Sequence, residues 1–174
     1  ALSGGNEDGD YRFGYTSAYQ TGIIPGSELN KNTLNFNAGR KISEKFDVRS
    51  SVNYTRTKGD GRTVQSSNNP NVLLPIIFGL PRTVDINELK DNYLNETTGQ
   101  QNTLTPSRNG NNPYWIVNNN NFFNVVDRVY GNVLATFKPT EWLTLSNNLG
   151  SDFYNEVRGG NTRPGTIGAL TGNF

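Results

Sequence analysis

Apolar and polar residues alternate one by one along five separate stretches of the chain. From Tyr11 to Tyr19, for example, every second position but one carries an aromatic ring, and the positions between are small or polar. Because successive side chains of a β-strand point to opposite faces, this period of two predicts strands with one apolar and one polar face. The five predicted strands lie near residues 11–19, 33–40, 45–56, 128–138 and 142–154.

The connections between these strands alternate between short and long. Tight turns are predicted at 41–45 and 138–141, and the other connections are much longer. Short turns on one side and long loops on the other are typical of an outer-membrane barrel, and a soluble sandwich rarely contains a connection of about 70 residues. We therefore predict an all-β fold, an antiparallel transmembrane β-barrel segment with long extracellular loops. The predicted outer loops are 20–32, 57–127 and 155–174.

The length of the strands and the placement of their aromatic residues also favour a membrane. About nine to eleven tilted residues cross a bilayer, whereas strands of soluble proteins average about five to six. Aromatic side chains form girdles at both interfaces of a membrane barrel. The alternative is that these rings pack in the core of a soluble sandwich. The aromatic residues near the strand ends are Tyr11, Phe46, Phe137 and Trp142 beside the short turns, and Tyr19, Tyr54, Phe153 and Tyr154 beside the long loops.

The alternation assigns each strand residue to one face of the predicted wall. Apolar positions are expected to face lipid and polar positions to face the lumen, although Ser50 and Asn147 fall on the apolar side without explanation. The expected lipid-facing residues are Phe36, Val48, Val52, Val133 and Leu145, and the expected lumen-facing residues are Arg49, Asn53, Asn132 and Asp152.

Five strands are too few to close, since the smallest membrane barrels have about eight. An open edge in lipid would leave backbone groups unpaired at a high cost in free energy. The longest apolar stretch, residues 72–80, is interrupted by Pro75 and is far shorter than the roughly 20 residues of a membrane helix. We therefore expect residues 1–174 to be one partial β-barrel domain that belongs to a larger wall.

One short helix is predicted inside the long loop, over residues 85–94. Asp85 is a suitable N-cap, Glu88 follows three residues later, and Ile86, Leu89 and Tyr93 share a face. This face could pack against a partner or against the apolar segment 73–80 of the same loop.

Composition excludes several kinds of chemistry. The chain has 16 Lys and Arg against 15 Asp and Glu, so its net charge of +1 gives no reason to expect a nucleic acid as partner. It has no Cys and no His, which removes thiolate catalysis, zinc–thiolate sites and the commonest general base. The inward-facing acids Asp47 and Asp152 lie on different hairpins, so they do not form the carboxylate pair of a glycosidase. We expect no enzyme activity, no metal and no cofactor.

The most site-like segment is 111–116, in which Tyr114 and Trp115 lie beside asparagine amides. Aromatic faces together with amide donors and acceptors are suited to holding sugars or peptides. The same residues could instead anchor the loop to the wall. The candidates for either role are Asn112, Tyr114, Trp115 and Arg108.

The order of these segments resembles the barrel of SusC/RagA-type TonB-dependent transporters. The first part of the resemblance consists of a Ser-Gly-Gly sequence, the first predicted strand and a Gly-Ile-Ile turn. The later segments, which include the sequence Asn-Pro-Tyr-Trp, resemble this family more closely than the first part does. The matching segments are 3–5, 11–19, 22–24, 112–115, 127–133, 141–143 and 150–156.

This resemblance implies a 22-stranded barrel in the outer membrane of a Bacteroidetes-type bacterium, with an internal plug. Such transporters import oligosaccharides or peptides, work with a SusD-like surface lipoprotein as a lid, and receive force from TonB. We expect the TonB-contacting and plug segments to lie outside this chain, so no energy-coupling residue can be placed here. The alternative is a secreted or surface β-sandwich module that binds glycans.

Overall fold

The computed structural model describes residues 1–62, 80–103 and 110–167, and these residues form mainly antiparallel β-sheet. The described part contains six strands and, between β4 and β5, two short helices. The strands are β1 (Leu2–Asn6), β2 (Gly9–Thr21), β3 (Glu28–Ser43), β4 (Phe46–Asp60), β5 (Asn121–Thr140) and β6 (Leu143–Asn161), and the helices are α1 (Ile86–Asp91) and α2 (Pro113–Asn119).

The six strands form one sheet in the order β1-β2-β3-β4-β5-β6, so every strand pairs with its neighbours in sequence. In the first hairpin, Leu2 lies opposite Phe13 and Asn6 lies opposite Gly9. The side-chain oxygen of Asn6 accepts hydrogen bonds from the amides of Asp8 and Gly9, both at 3.0 Å, and thereby closes the turn. The prediction of an antiparallel all-β fold is confirmed at this level.

The strands extend further than the alternation predicted. The five predicted segments fall within strands β2 to β6, except that two of them start one residue too early. Beyond the predicted bounds, β2 continues to Thr21 and β3 begins at Glu28. Gly22 donates to the carbonyl oxygen of Ser27 at 2.7 Å and closes this connection, which is therefore shorter than the predicted loop 20–32. Ladder hydrogen bonds join backbone atoms, so a strand continues through polar residues that give no alternating signal.

β1 was not predicted as a strand, because its small and polar residues do not alternate with apolar ones. Helix α1 confirms the predicted loop helix, and Asp85 caps it by accepting a hydrogen bond from the amide of Asn87 at 2.8 Å. The helix is shorter than expected, and of its predicted apolar side Leu89 is buried whereas Ile86 is exposed. Residues 73–79, its possible partner, lie outside the described residues. Helix α2 was not predicted.

The chain divides into two compact units. Unit 1 comprises Ala1–Gln20, Leu29–Lys58 and Val125–Val157, and unit 2 comprises Thr21–Glu28, Gly59–Asn124 and Arg158–Phe174.

Unit 1 consists of β-sheet whose large apolar side chains are exposed or half-buried. Leu149 is 73% exposed, Phe153 71% and Trp142 83%. Among the described residues, the buried hydrophobic side chains are Leu89, Trp115 and Ile116, and all three belong to unit 2. Within the described ranges, unit 1 therefore has no packed hydrophobic core on either face of its sheet.

Strands β4 and β5 approach each other closely at Gly131. A Cβ atom at this position would run into the carbonyl oxygen of Ser51 on the neighbouring strand. Glycine inside a strand often marks such a close backbone approach. The sequence alternation alone gives no reason for a glycine here, since an apolar residue would continue the pattern.

Unit 2 is built around Trp115 and Ile116, which Ile24, Tyr93, Leu94 and Val117 cover in part. Within the described residues of this unit, the buried hydrophobic side chains are Leu89, Trp115 and Ile116. Within the parts of the chain that the structure describes, no helix has the length and apolar character needed to cross a lipid bilayer.

Candidate functional site

One face of the unit 1 sheet carries a series of paired polar side chains, which we call the polar face. On β3 and β4, the amide nitrogen of Asn35 donates to the amide oxygen of Asn53 at 2.5 Å. On β5 and β6, the amide nitrogen of Asn132 donates to the amide oxygen of Asn148 at 2.8 Å. Side chains at opposite positions of neighbouring strands are close enough for such bonds, so the strand register brings the amides together.

Two ion pairs lie on the same face. Arg128 binds Asp152 through two hydrogen bonds, of which the one from Nε to Oδ1 is 2.9 Å long, and its guanidinium lies 5.3 Å from the centre of the Tyr130 ring. Arg49 on β4 and Asp10 on β2 form the second pair, in which Nη2 lies 3.0 Å from Oδ1. The fixed charges of both pairs are thus balanced locally.

The polar face contains shallow depressions that share residues. One of them measures about 560 Å³, and Ser51 and Asn132 line both this depression and a smaller one of about 190 Å³. The residues expected to face a lumen, Arg49, Asn53, Asn132 and Asp152, all line one or both of these depressions. The structure therefore brings all four onto one continuous surface rich in hydrogen-bonding groups.

The residues expected to face lipid are distributed over β3 to β6. Phe36, Val52, Val133 and Leu145 are exposed, and Val48 is half-buried. Near the short turns of the same face, the rings of Phe46 and Phe137 meet edge to face, with their centres 6.4 Å apart. We call this surface of unit 1 the apolar face.

A polar cluster ends the apolar face on β4 and β5. The hydroxyl of Tyr54 donates to Oδ1 of Asp127 at 2.5 Å, and Nη1 of Arg56 lies 3.7 Å from the same oxygen. On β2 and β3, the hydroxyl of Tyr15 donates to the side chain of Asn32 at 2.6 Å. Sequence analysis treated Tyr54 only as an interfacial ring and missed its partner, because Asp127 was assigned to the long loop.

The candidate ligand residues of the long loop belong largely to the core of unit 2. Trp115 is 0% exposed, and its indole nitrogen donates to Oγ1 of Thr166 at 2.8 Å. Asn112 is also buried: its side chain caps α2 at the amide of Tyr114 and donates to the carbonyl oxygen of Leu89. Tyr114 is half-buried, and Arg108 lies outside the described residues. Trp115 and Asn112 thus anchor the loop and offer no open surface to a ligand.

Side-chain amides connect the segments of unit 2. Nε2 of Gln101 donates to Oδ1 of Asn111 at 2.7 Å and to the carbonyl oxygen of Gly165 at 2.6 Å. Asn111 in turn exchanges two hydrogen bonds of 2.7 Å with the backbone of Ile167. An amide carries both a donor and an acceptor, so it can pair with backbone as a neighbouring strand would. The segment after β6 is thereby bound to the segment before α2.

The described residues do not bring together three or more His, Cys, Asp or Glu side chains in a way that could hold a metal ion. The acidic residue Asp10, near the first turn, is engaged with Arg49.

No protein-family model matches the sequence, and no curated protein matches it. Support for a function therefore comes from the geometry of the two faces and from the resemblance of the quoted segments.

Proposed function

We propose that this chain forms part of the wall of a TonB-dependent outer-membrane importer of oligosaccharides or peptides. In this proposal the apolar face contacts lipid, the polar face lines the aqueous interior, and further strands complete a barrel of 22. The importer works with a SusD-like surface lipoprotein and receives energy from TonB through a plug outside this chain. Its location is the bacterial outer membrane.

The observation that carries the proposal is the exposure of the apolar face within the described residues. Large contiguous apolar surfaces are rare on soluble monomers, because leaving them in water costs free energy. In unit 1, Val133, Leu145 and Leu149 belong to such a surface. Lipid chains would remove it from water without requiring a second protein layer.

The height of the apolar face supports a bilayer as its environment. On β5, apolar or small residues occupy every second position from Val129 to Phe137, between the polar Asp127 and Pro139 in the turn region. At roughly 3.4 Å per residue and a tilt of about 40°, the stretch from Val129 to Phe137 is roughly 20 Å high, and the distance from Asp127 to Pro139 is roughly 30 Å. The apolar band of outer-membrane barrels is about 25 Å high.

The polar end of the band also fits this assignment. Asp127, Tyr54 and Arg56 would lie at the level of the headgroups, where charged groups remain hydrated and a tyrosine hydroxyl can form hydrogen bonds. On the opposite side of the sheet, the amides and ion pairs of the polar face suit a water-filled interior that admits polar cargo.

The identity of the importer rests on the resemblance of the segments 112–115, 127–133 and 150–156 to SusC/RagA-type transporters. The competing proposal, a secreted or surface β-sandwich that binds glycans, requires a second sheet over the apolar face. The described residues form one sheet, which favours the barrel wall.

A labelling experiment tests the lipid contact. The chain has no cysteine, so Val133→Cys and Asn132→Cys place a single thiol on opposite faces of β5. The bimane-labelled chain is reconstituted into phosphatidylcholine vesicles as part of the complete barrel, because its own strands cannot close. We expect doxyl lipids to quench the label at position 133 and iodide to quench the label at position 132. Protection of the label at 133 from both quenchers, together with a soluble monomeric chain, would support the sandwich instead.

A further inference from the structure

The ion pair between Asp10 and Arg49 passes over an intervening strand. Asp10 lies on β2 and Arg49 on β4, and β3 lies between them in the sheet. The residue below the pair is Gly39, which is buried. A Cβ atom there would lie 3.1 Å from Cγ and Cζ of Arg49 and 3.1 Å from Oδ1 of Asp10. The absence of a side chain at position 39 therefore lets the two charges meet.

Stability does not explain this arrangement well. The side chains of Arg49 and Asp10 are 62% and 56% exposed, and ion pairs in such surroundings contribute little to folding because water and salt screen them. The larger consequence of the pair is for the charge of the surrounding surface, since the carboxylate of Asp10 offsets the charge of a guanidinium that faces solvent.

Apart from the pair itself, the lining of the adjoining depression is uncharged, and it combines hydrogen-bonding side chains with the apolar residues Ala38 and Leu134. Asn37, Ser51 and Asn132 line the same depression as Arg49 and Asp10. Beyond Asn132, Arg128 and Asp152 bind each other. On β2, Arg12 lies on the same face as Asp10, two residues further along the strand. At the opposite side, beside the first turn, acidic and basic groups mix: the residues there are Glu7, Asp8, Arg40, Lys41 and Asp47.

We infer that Asp10 determines the charge selectivity of the polar face. Asp10 holds Arg49 over Gly39, so the guanidinium is not available to bind anions. The depression lined by Asn37, Ser51 and Asn132 is therefore suited to uncharged, hydrogen-bonding ligands. This inference rests on the proposed function in one respect, namely that the polar face is the surface that passing solutes meet.

Release of Arg49 tests the inference with the trisulfonate dye pyranine as the anionic probe. The full chain is folded in micelles of an uncharged detergent, and dye binding is followed by fluorescence anisotropy at low salt. We expect Asp10→Asn to bind pyranine on the order of tenfold more tightly than the unmodified chain, because the guanidinium becomes available to the sulfonates. Added salt should weaken the gain.

Three further variants separate this effect from a general change in charge. Glu141→Gln changes the net charge by the same amount in the turn before β6, and should leave dye binding near that of the unmodified chain. Asp10→Asn combined with Arg49→Gln should abolish the gain. Gly39→Ala, which displaces the pair while both charges remain, should increase binding in the same direction and provides a second test if Asp10→Asn folds poorly.

Equal binding by Asp10→Asn and Glu141→Gln, or a gain that survives Arg49→Gln, would overturn the inference. The assay uses micelles and does not depend on insertion into a bilayer. Its failure is therefore distinguishable from failure of the proposed function, which the quenching of the label at position 133 reports.

Discussion

The hydroxyl of Tyr54 donates a 2.5 Å hydrogen bond to the carboxylate of Asp127 on the neighbouring strand. This bond marks the position at which the apolar face of unit 1 gives way to polar groups, since Arg56 also lies within 3.7 Å of Asp127. An apolar band with a defined polar end differs from a surface with scattered hydrophobic residues.

Tyr54→Phe should lower the free energy of unfolding by about 1 kcal/mol, because Asp127 loses a donor in a partly exposed setting. Equilibrium unfolding in urea, in uncharged micelles, measures the difference. Tyr11→Phe is a suitable control, since Tyr11 has the same ring on the same face near the first turn. A loss of the same size in Tyr11→Phe would show that the hydrogen bond to Asp127 is not the cause.

In the complete barrel, Val133→Arg should lower the free energy of unfolding from lipid by about 2–4 kcal/mol if position 133 lies near the bilayer midplane. Val48→Arg should behave similarly. Unfolding in urea from phosphatidylcholine vesicles gives the free energies. The matched control is Asn132→Arg, which places the same charge on the polar face of the same strand and should cost much less. Comparable losses at positions 132 and 133 would refute the assignment of the two faces.

Gly131→Ala should cost about 1–3 kcal/mol, because a Cβ atom would press on the carbonyl oxygen of Ser51 and force β4 and β5 apart. Gly150 on β6 is the control: the nearest atom to an added Cβ would be 3.6 Å away, which is an ordinary contact. Gly150→Ala should therefore be nearly neutral. Thermal unfolding followed by circular dichroism compares the two, and equal shifts would contradict the proposed close approach.

Trp115→Ala should destabilise unit 2 by about 3–5 kcal/mol, because it empties the core around Ile116 and removes the bond to Thr166. The guanidinium of Arg163, 4.9 Å from the ring centre, also loses its aromatic partner. Hydrogen exchange should show faster opening at residues 111–120 and 163–167. Trp142→Ala removes the same side chain from an 83% exposed position and should leave these rates unchanged. Unchanged exchange in Trp115→Ala would refute the anchoring role.

The sequence was informative where local patterns decide the outcome. Alternation along β2 and β4 predicted both the strands and the division of their residues between two faces, because neighbouring side chains in a strand necessarily point in opposite directions. Asp85 predicted the start of α1 correctly for a similar reason, since an N-cap acts on amides two or three residues away. The full lengths of the strands were not predictable, because backbone pairing continues where the side-chain pattern stops.

Local pattern by itself determined that this chain forms antiparallel strands with one apolar and one polar face. Only the tertiary structure decided that Trp115 is an anchor, since its burial requires Thr166 to return to it after β6. The same holds for Asp10 and Arg49, which come together across a third strand because Gly39 leaves room. Such contacts depend on strand register and on the path of long connections, and the spacing of residues along one segment does not encode either.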